Sequence, residues 1–167
     1  TEDFSSVTVT NSGTMNATFP VSFPGSAANI TGTATARNGR IIDGDDGFGA
    51  FATSATQALK STGQLRIDFD SPISAFGAYV NDVETSETVR LTLTPDGGGT
   101  AVTVDYGGIV NQGRTGRTPG NGQVNFVGFI DKFNLYSSVE ISFVGASNEG
   151  FGFDDLTVGE VAQVTGT

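Results

Sequence analysis

The sequence predicts an all-β protein, an antiparallel β-sandwich of jelly-roll type with at most one short helix. Apolar residues alternate with polar residues over most of the chain, which is typical of strands with one buried and one solvated face. The composition is rich in Thr, Val, Phe and Gly, with 13 Phe and 24 Gly, while strong helix formers are sparse. Turn residues separate the alternating segments at short intervals. About ten short strands joined by turns are typical of sandwiches and jelly rolls.

Each alternating segment predicts one strand. In chain order they contain Val7 and Val9; Phe19, Val21 and Phe23; Leu65, Ile67 and Phe69; Val89, Leu91 and Leu93; Val102 and Val104; Val139, Ile141 and Phe143; and finally Phe151, Phe153, Leu156 and Val158. The turn sequence Pro95–Gly99 predicts a hairpin that joins Leu93 to Val102. Residues 52–61 contain Ala55, Ala58 and Leu59 and are the one candidate for a helical turn. Residues 107–122 are polar and glycine-rich, so we expect a long loop of the kind that carries function.

Length and charge limit the classes of function. A chain of 167 residues is expected to form one domain, residues 1–167. The net charge of −10 disfavours nucleic acid and anionic membranes as partners. No run of 18 apolar residues is present, so no membrane-spanning helix is expected. The start at a residue other than Met suggests a processed or trimmed chain.

Histidine and cysteine are both absent from the sequence. Their absence removes the Ser-His-Asp triad, the Cys-His dyad and the usual zinc sites. Paired carboxylates, as in glycoside hydrolysis, are the chemistry that remains for an enzyme. The candidate pairs are Asp43 with Asp45 and Asp46, Asp68 with Asp70, Asp82 with Glu84, and Asp154 with Asp155. We expect Asp68 and Asp70 to lie on a solvated strand face, and we expect the protein not to be an enzyme.

Two adjacent carboxylates, Asp154 and Asp155, interrupt the last apolar strand. Burying such a pair costs free energy unless a cation is nearby, and oxygen ligands favour calcium. The segment Asp43-Gly44-Asp45-Asp46-Gly47 is a second candidate for a hard cation, or else an acidic turn. It does not fit the EF-hand template, because Gly47 would take position five and Ser54 position twelve.

The ends of the chain are acidic as well, with Glu2 and Asp3 near the start. First and last strands often pair in a sandwich, so we expect these acids to approach Asp154 and Asp155. The arrangement resembles the jelly-roll carbohydrate-binding modules and related extracellular domains. The resemblance implies a structural calcium ion shared by Asp3 and by Asp154 or Asp155. Because adjacent strand residues point to opposite faces, one of the two is expected to face the ion directly. The alternative is that one caps a turn and the other is solvated.

A second resemblance covers roughly residues 40–159. The segments Asp45–Gly49, Ile67–Gly77, Val127–Ile130 and Gly152–Gly159 are similar to segments of exported bacterial β-sandwich proteins of the PEP-CTERM-associated type. The resemblance implies a β-sandwich and export to the outside of the cell or to its surface. No sorting tail follows Gly159, so such a tail is expected to have been removed or never present.

Candidate ligand residues are few. The sequence has no Trp, and Tyr106 and Tyr136 are the tyrosines that we expect to be exposed. Arg114 and Arg117 lie in the glycine-rich loop. Asn16 and Asn29 begin Asn-X-Thr patterns and are therefore candidates for N-glycosylation.

Together these observations predict a non-catalytic extracellular structural or adhesive subunit, stabilised by calcium and self-associating, with a filament as one outcome. The polar end segments, residues 1–10 and 159–167, are expected to pair with the sheet edge of a neighbour. The alternative is a carbohydrate-binding module of a secreted, polysaccharide-active protein, which the absence of Trp disfavours.

Overall fold

A computed structural model of the chain describes residues 17–24, 29–43, 50, 52–53, 57–83, 87–107, 124–145 and 150–160. Within these ranges the protein is all-β, with eleven strands and no helix. The strands are β1 (Ala17–Phe23), β2 (Ile30–Ala36), β3 (Arg40–Asp43), β4 (Gln57–Ser61), β5 (Gln64–Ile73), β6 (Ala75–Asn81), β7 (Thr88–Pro95), β8 (Val102–Tyr106), β9 (Val124–Ile130), β10 (Tyr136–Val144) and β11 (Phe151–Gly159).

The strands form two antiparallel sheets that pack as a sandwich. The six-stranded sheet has the order β1-β2-β5-β10-β7-β8, and the five-stranded sheet has the order β3-β4-β11-β6-β9. The chain passes repeatedly from one sheet to the other, so most neighbours in a sheet are distant in sequence, as in a jelly roll. Strand β10 lies between β5 and β7, and β11 lies between β4 and β6.

The core follows from the period-two patterning. Strand β1 alternates strictly between buried and exposed residues, and β7 alternates between buried and half-buried residues. The inward-facing side chains of both sheets form one apolar cluster that includes Phe23, Ile67 and Phe153. The rings of Phe143 and Phe151 stack with their centroids 3.4 Å apart, which joins β10 in one sheet to β11 in the other. The predicted sandwich is therefore confirmed.

Most of the predicted elements that fall on described residues are also confirmed. The hairpin is present, because Leu93 pairs with Val102 across the turn. Asp68 and Asp70 lie on an exposed strand face, as expected. The helical candidate is wrong for residues 57–61, which form β4 between β3 and β11. Ala58 and Leu59 are fully buried there, so packing in the sheet overrides the local helix preference. The predicted strand at Val7 and Val9 and most of the long loop lie outside the described residues.

The four edge strands differ in how they are protected against pairing with another chain, which natural sheets usually prevent with Pro, charge or shortness. Strand β1 carries Pro20, and β3 has only four residues. Strand β8 carries Asp105, which forms a two-pronged ion pair with Arg90 at 2.6 and 2.7 Å. Strand β9 has seven residues and contains neither a charged residue nor Pro.

Candidate functional site

The acidic pair of β11 lies at a β-bulge. Asp154 pairs with Tyr79 and Thr157 with Gly77, so β11 has one more residue than β6 over this interval. Asp155 takes a φ of 49°, in the left-handed region that non-glycine residues seldom adopt. This local conformation breaks the strict alternation of side chains along the strand. The carboxylates of Asp154 and Asp155 consequently reach the same neighbour, Thr53.

Thr53 is the hydrogen-bonding centre of this cluster. Its backbone N–H donates to Asp154 Oδ2 at 2.6 Å, and its hydroxyl lies 2.9 Å from Asp154 Oδ2 and 2.9 Å from Asp155 Oδ2. Asp154 Oδ1 accepts from the backbone N–H of Asp155 at 2.9 Å. A hydroxyl has one proton to donate, so the two carboxylates compete for it. Burial raises the pKa of Asp154, and the hydrogen bonds from Thr53 oppose that rise.

The expectation that Asp154 and Asp155 face opposite sides is therefore wrong, because the bulge brings both carboxylates to one hydroxyl. The expected pairing of the first strand with the last stays a prediction, because the predicted strand at Val7 and Val9 lies outside the described residues. Strand β1 is an edge of the six-stranded sheet, whereas β11 is inside the five-stranded sheet. Asp43 ends β3 opposite Gln57. The other predicted metal ligands, namely Glu2, Asp3, Asp45 and Asp46, lie outside the described residues. Among the residues that are described, no group of three or more acidic side chains could hold a metal ion.

The two tyrosines predicted as ligand platforms have structural partners. The hydroxyl of Tyr106 donates to the carbonyl of Gly128, which connects β8 with β9. Tyr136 is buried, contrary to expectation, and its hydroxyl donates to Asp131 Oδ2 at 2.8 Å. Arg114, Arg117 and Asn16 belong to the part of the chain that is not described.

Asn29, the second glycosylation candidate, is exposed and precedes β2 with a φ of 46°. The hydroxyl of Thr31, the third residue of its pattern, donates to Asp70 Oδ2 at 2.6 Å. The amide of Asn29 is therefore placed where a glycan would meet solvent, and its modification stays a prediction.

An apolar trough lies on the outer face of the five-stranded sheet, with a volume of about 380 Å³. Its lining brings together small residues and apolar side chains. Small residues from three neighbouring strands are Ala75, Gly77, Gly128 and Gly159. The ring of Phe126 lies over Gly77 and meets Tyr79 edge to face, with centroids 5.2 Å apart. Phe126 is 52% exposed, and Ile130 is 73% exposed.

A second cavity of about 400 Å³ lies between β8 and β9. It is lined by Val102 of β8, by Phe129 and Ile130 of β9, and by Phe133 in the turn that follows β9. Ile130 lines both cavities, so the two form one continuous apolar surface. We call Val102, Phe126, Ile130 and Phe133 the edge patch. Phe133 is 87% exposed and Val102 is 43% exposed.

The turn that carries Phe133 is organised by Asp131. Asp131 Oδ1 accepts from the backbone N–H groups of Phe133 and Asn134 at 2.8 and 3.1 Å. Asp131 Oδ2 accepts from the Asn134 amide at 3.0 Å and from the Tyr136 hydroxyl. These bonds lower the pKa of Asp131 to about 2, with the Asn134 side chain as the largest contribution. The turn thus fixes the backbone at Phe133, whose side chain is exposed.

Sequence reasoning missed the edge patch. The available signal was in Val124–Ile130, where apolar residues occupy both faces of the strand. The even-numbered positions include Phe126 and Ile130, and the odd-numbered ones include Val127 and Phe129. A strand of this kind is normally buried on both faces. The structure places this even-numbered face on the outer side of the five-stranded sheet, where no second layer of described residues covers it.

The chemistry of the edge patch favours an apolar partner. Thr157 is the polar side chain in the lining of the trough, and the second cavity adds Asp131, Lys132 and the buried Tyr136.

Among the described residues, no helix is long and apolar enough to cross a membrane.

No protein-family model and no curated protein matches this sequence. The chain is similar to a solved carbohydrate-binding module, TmCBM61 in complex with β-1,4-galactotriose, with a TM-score of 0.48, 10% identity and coverage of 95% of this chain and 94% of that one. It is also similar to the cleaved adhesin domain of Lys-gingipain from Porphyromonas gingivalis, with a TM-score of 0.44, 13% identity and coverage of 87% and 99%.

A third similar structure is the enzymatically active domain of tailspike protein 4 from bacteriophage CBA120. Its TM-score is 0.33 at 12% identity, and the match covers 92% of this chain but 18% of that one.

Proposed function

We propose that the protein is a non-catalytic, extracellular structural or adhesive subunit that associates with other copies through the edge patch. The observation that carries this proposal is the exposure of Phe126 and Ile130 on an edge strand without charge or Pro, together with the exposure of Phe133 in the turn that follows it. Large apolar side chains exposed together mark a contact surface far more often than isolated ones do. The absence of His and Cys is consistent with a role in binding rather than in catalysis.

The exposed area is large enough to matter energetically. With about 150–250 Å² for a fully buried aromatic side chain, the exposed parts of Phe126, Ile130 and Phe133 amount to roughly 400 Å² per chain. That value lies within the range of about 300–600 Å² for the largest apolar patch of a monomer, which is often functional. A contact between two such patches, with the backbone and neighbouring residues included, approaches the roughly 1,200 Å² of a small specific interface.

Sedimentation velocity over a range of protein concentrations tests the proposal. We expect the wild-type chain to form dimers or larger assemblies, and Phe126→Ser and Phe133→Ser to shift it toward the monomer. The chain offers a matched control, because Val102 and Val144 are both 43% exposed while only Val102 lines the patch. Val102→Ser should weaken association, and Val144→Ser should not. A wild-type monomer at every concentration contradicts the proposal.

Exchange of the end segments between copies is a second predicted mode of self-association. Gly159, the first residue of the segment 159–167, is the last residue of β11 and pairs with Ala75, whereas residues 161–167 lie outside the described part of the chain. The exchange of residues 1–10 with a neighbour stays a prediction. Deleting those ten residues should abolish association if exchange is responsible, and should leave it intact if the edge patch is responsible.

Carbohydrate binding is the second candidate. The specific observation in its favour is the Phe126 ring beside a floor of Gly and Ala, which could accept the flat face of a sugar. The scarcity of polar side chains in the trough argues against it, because sugar hydroxyls need hydrogen-bonding partners. Affinity electrophoresis on polysaccharide gels, with calcium present, tests this function. Retardation that Phe126→Ser removes would support glycan binding, and no retardation on any polysaccharide would rule against it.

We also propose that calcium stabilises the fold at the acidic pair. A cation beside Asp154 and Asp155 would relieve the competition of two carboxylates for one hydroxyl proton. The described residues supply two carboxylates, whereas calcium takes about 6–8 oxygen ligands. Further ligands would have to come from elsewhere, and Asp45 and Asp46 precede Thr53 by only a few residues.

A further inference from the structure

We propose that two copies of the chain join by antiparallel pairing of their β9 strands about a two-fold axis at Gly128. This pairing would place Phe126 of each copy opposite Ile130 of the other. The inference rests on the proposed function and specifies its interface.

Charge and strand chemistry favour this edge over the other three. Each chain carries a net charge of −10, so contact between most surfaces of two copies is repulsive. Strand β9 is uncharged over its seven residues, and among the described strands it pairs on one side only, with β6. Self-complementary contact of one patch with its own copy is the geometry of the commonest symmetric dimers. The result would extend the five-stranded sheet into one of ten strands.

The register follows from where the exposed side chains lie. Phe126 and Ile130 stand two residues on either side of Gly128 and share the outer face of the strand. A two-fold axis at Gly128 therefore pairs the two most exposed side chains of β9 with each other. An axis at Val127 would instead set Phe126 against Gly128 and Ile130 against Val124. The first register buries more apolar surface, which favours it.

The hydrogen bond from Tyr106 is compatible with this arrangement. Its hydroxyl reaches the Gly128 carbonyl from β8, in the opposing sheet. A carbonyl oxygen has two lone pairs, so one donor leaves capacity for a second.

The absence of cysteine from the chain permits a direct test by disulfide trapping. The variants are Phe126→Cys and Ile130→Cys, both at exposed positions. Circular dichroism confirms that each remains folded, and sedimentation velocity under reducing conditions sets a protein concentration at which their mixture still associates. Opposite residues in an antiparallel pair lie at the Cα separation of about 4.4–6.8 Å that a disulfide needs. Under mild oxidation, an equimolar mixture of the two variants should give several-fold more covalent dimer than either variant alone. Mass spectrometry should find Cys at 126 joined to Cys at 130.

A Val144→Cys variant measures the background of random collision, because Val144 is exposed and remote from the lining of both cavities. Dimer in the mixture no more abundant than in that control overturns the pairing. The pairing is also overturned if Ile130→Cys alone gives as much covalent dimer as the mixture. The proposed function survives either result if the wild-type chain still associates in sedimentation and Phe133→Ser prevents it. It fails together with the pairing if the wild-type chain is a monomer.

Discussion

The hydroxyl of Tyr136 donates a hydrogen bond of 2.8 Å to Oδ2 of Asp131, and this bond ties the start of β10 to the turn that presents Phe133. Replacing Tyr136 by Phe removes the donor and keeps the buried ring. We expect the free energy of unfolding to fall by about 1 kcal/mol, the usual contribution of one such bond. Urea denaturation of the wild type and the variant measures the difference. Lys132→Ala, in the same exposed turn, serves as the control and should change stability little.

The same bond makes the stability of the fold depend on pH. The pKa of Asp131 is lowered to about 2, so the stabilisation from its hydrogen bonds is present above the unfolded value of about 3.9 and is lost as the pH falls through about 2. The pKa of Tyr136 is raised to about 12 by burial and by Asp131, so its contribution is lost at the alkaline end, as the pH rises through that value. In Tyr136→Phe the pKa of Asp131 should rise toward its ordinary value. Carboxyl-carbon NMR titration measures it, and an unchanged pKa would contradict the assignment.

Thr53→Val tests the centre of the acidic pair. Valine has nearly the shape of threonine but no hydroxyl, so both carboxylates lose this donor while Asp154 keeps the backbone N–H. We expect a loss of about 1–3 kcal/mol, since bonds to charged groups are stronger than neutral ones. Thr53→Ser keeps the hydroxyl and should cost less. A loss in Thr53→Val no larger than the loss in Thr53→Ser would contradict the role assigned to the hydroxyl.

Thr53→Val should also steepen the dependence of stability on pH. The pKa of Asp154 is already raised by burial, so the folded state is destabilised as the pH rises from the unfolded pKa through the folded one. Because the Thr53 hydroxyl lowers the pKa of Asp154, its removal raises that pKa further. The slope of unfolding free energy against pH, measured as the pH rises above the ordinary Asp pKa of about 3.9, reports the change.

Removal of divalent cations tests the calcium proposal. If calcium binds the folded state alone, excess chelator should lower the melting temperature, with a loss of about 2.7 kcal/mol for a site at a hundredfold excess of ion over Kd. Asp155→Asn should reduce the sensitivity to chelator, while Asp68→Asn, on the exposed face of β5, should not. A melting curve that is identical in calcium and in chelator removes calcium from the fold.

Two glycines of the trough should respond differently to substitution by Ala. A Cβ at Gly128 would meet the backbone of Phe76 and Gly77, which cannot move without disturbing β6. A Cβ at Gly77 would meet the end of the Phe126 ring, which can swing toward solvent. We therefore expect Gly128→Ala to cost about 1–3 kcal/mol and Gly77→Ala clearly less. Thermal unfolding compares the two, and the reverse order would contradict this packing.

The fold was largely predictable because period-two patterning is a local signal. Each strand with one wet and one dry face, such as Leu65–Phe69 in β5, is visible from its own residues. The helix prediction for residues 57–61 was wrong because Ala and Leu favour a helix in isolation, whereas the burial of Leu59 between two strands decides the outcome.

The candidate sites were less accessible to sequence reasoning. That Asp154 and Asp155 form a special pair was visible, but their approach to Thr53, a hundred residues earlier, depends on a bulge and on tertiary packing. The edge patch depends on which strand ends a sheet, and strand order is a property of the whole topology. A single sequence does not encode that order in any local pattern.

The placement of β10 and β11 has a consequence for how the molecule is made. Strand β10 links β5 to β7, and β11 links β4 to β6. Without these two strands, each sheet would be split into two parts. A nascent chain that has reached residue 130 therefore contains most of its hydrophobic side chains, but neither sheet is complete. Such long-range closure slows folding and leaves apolar surface exposed until synthesis is nearly complete. The two strands made last complete both sheets. A ribosome that stalls before them would therefore release an aggregation-prone fragment.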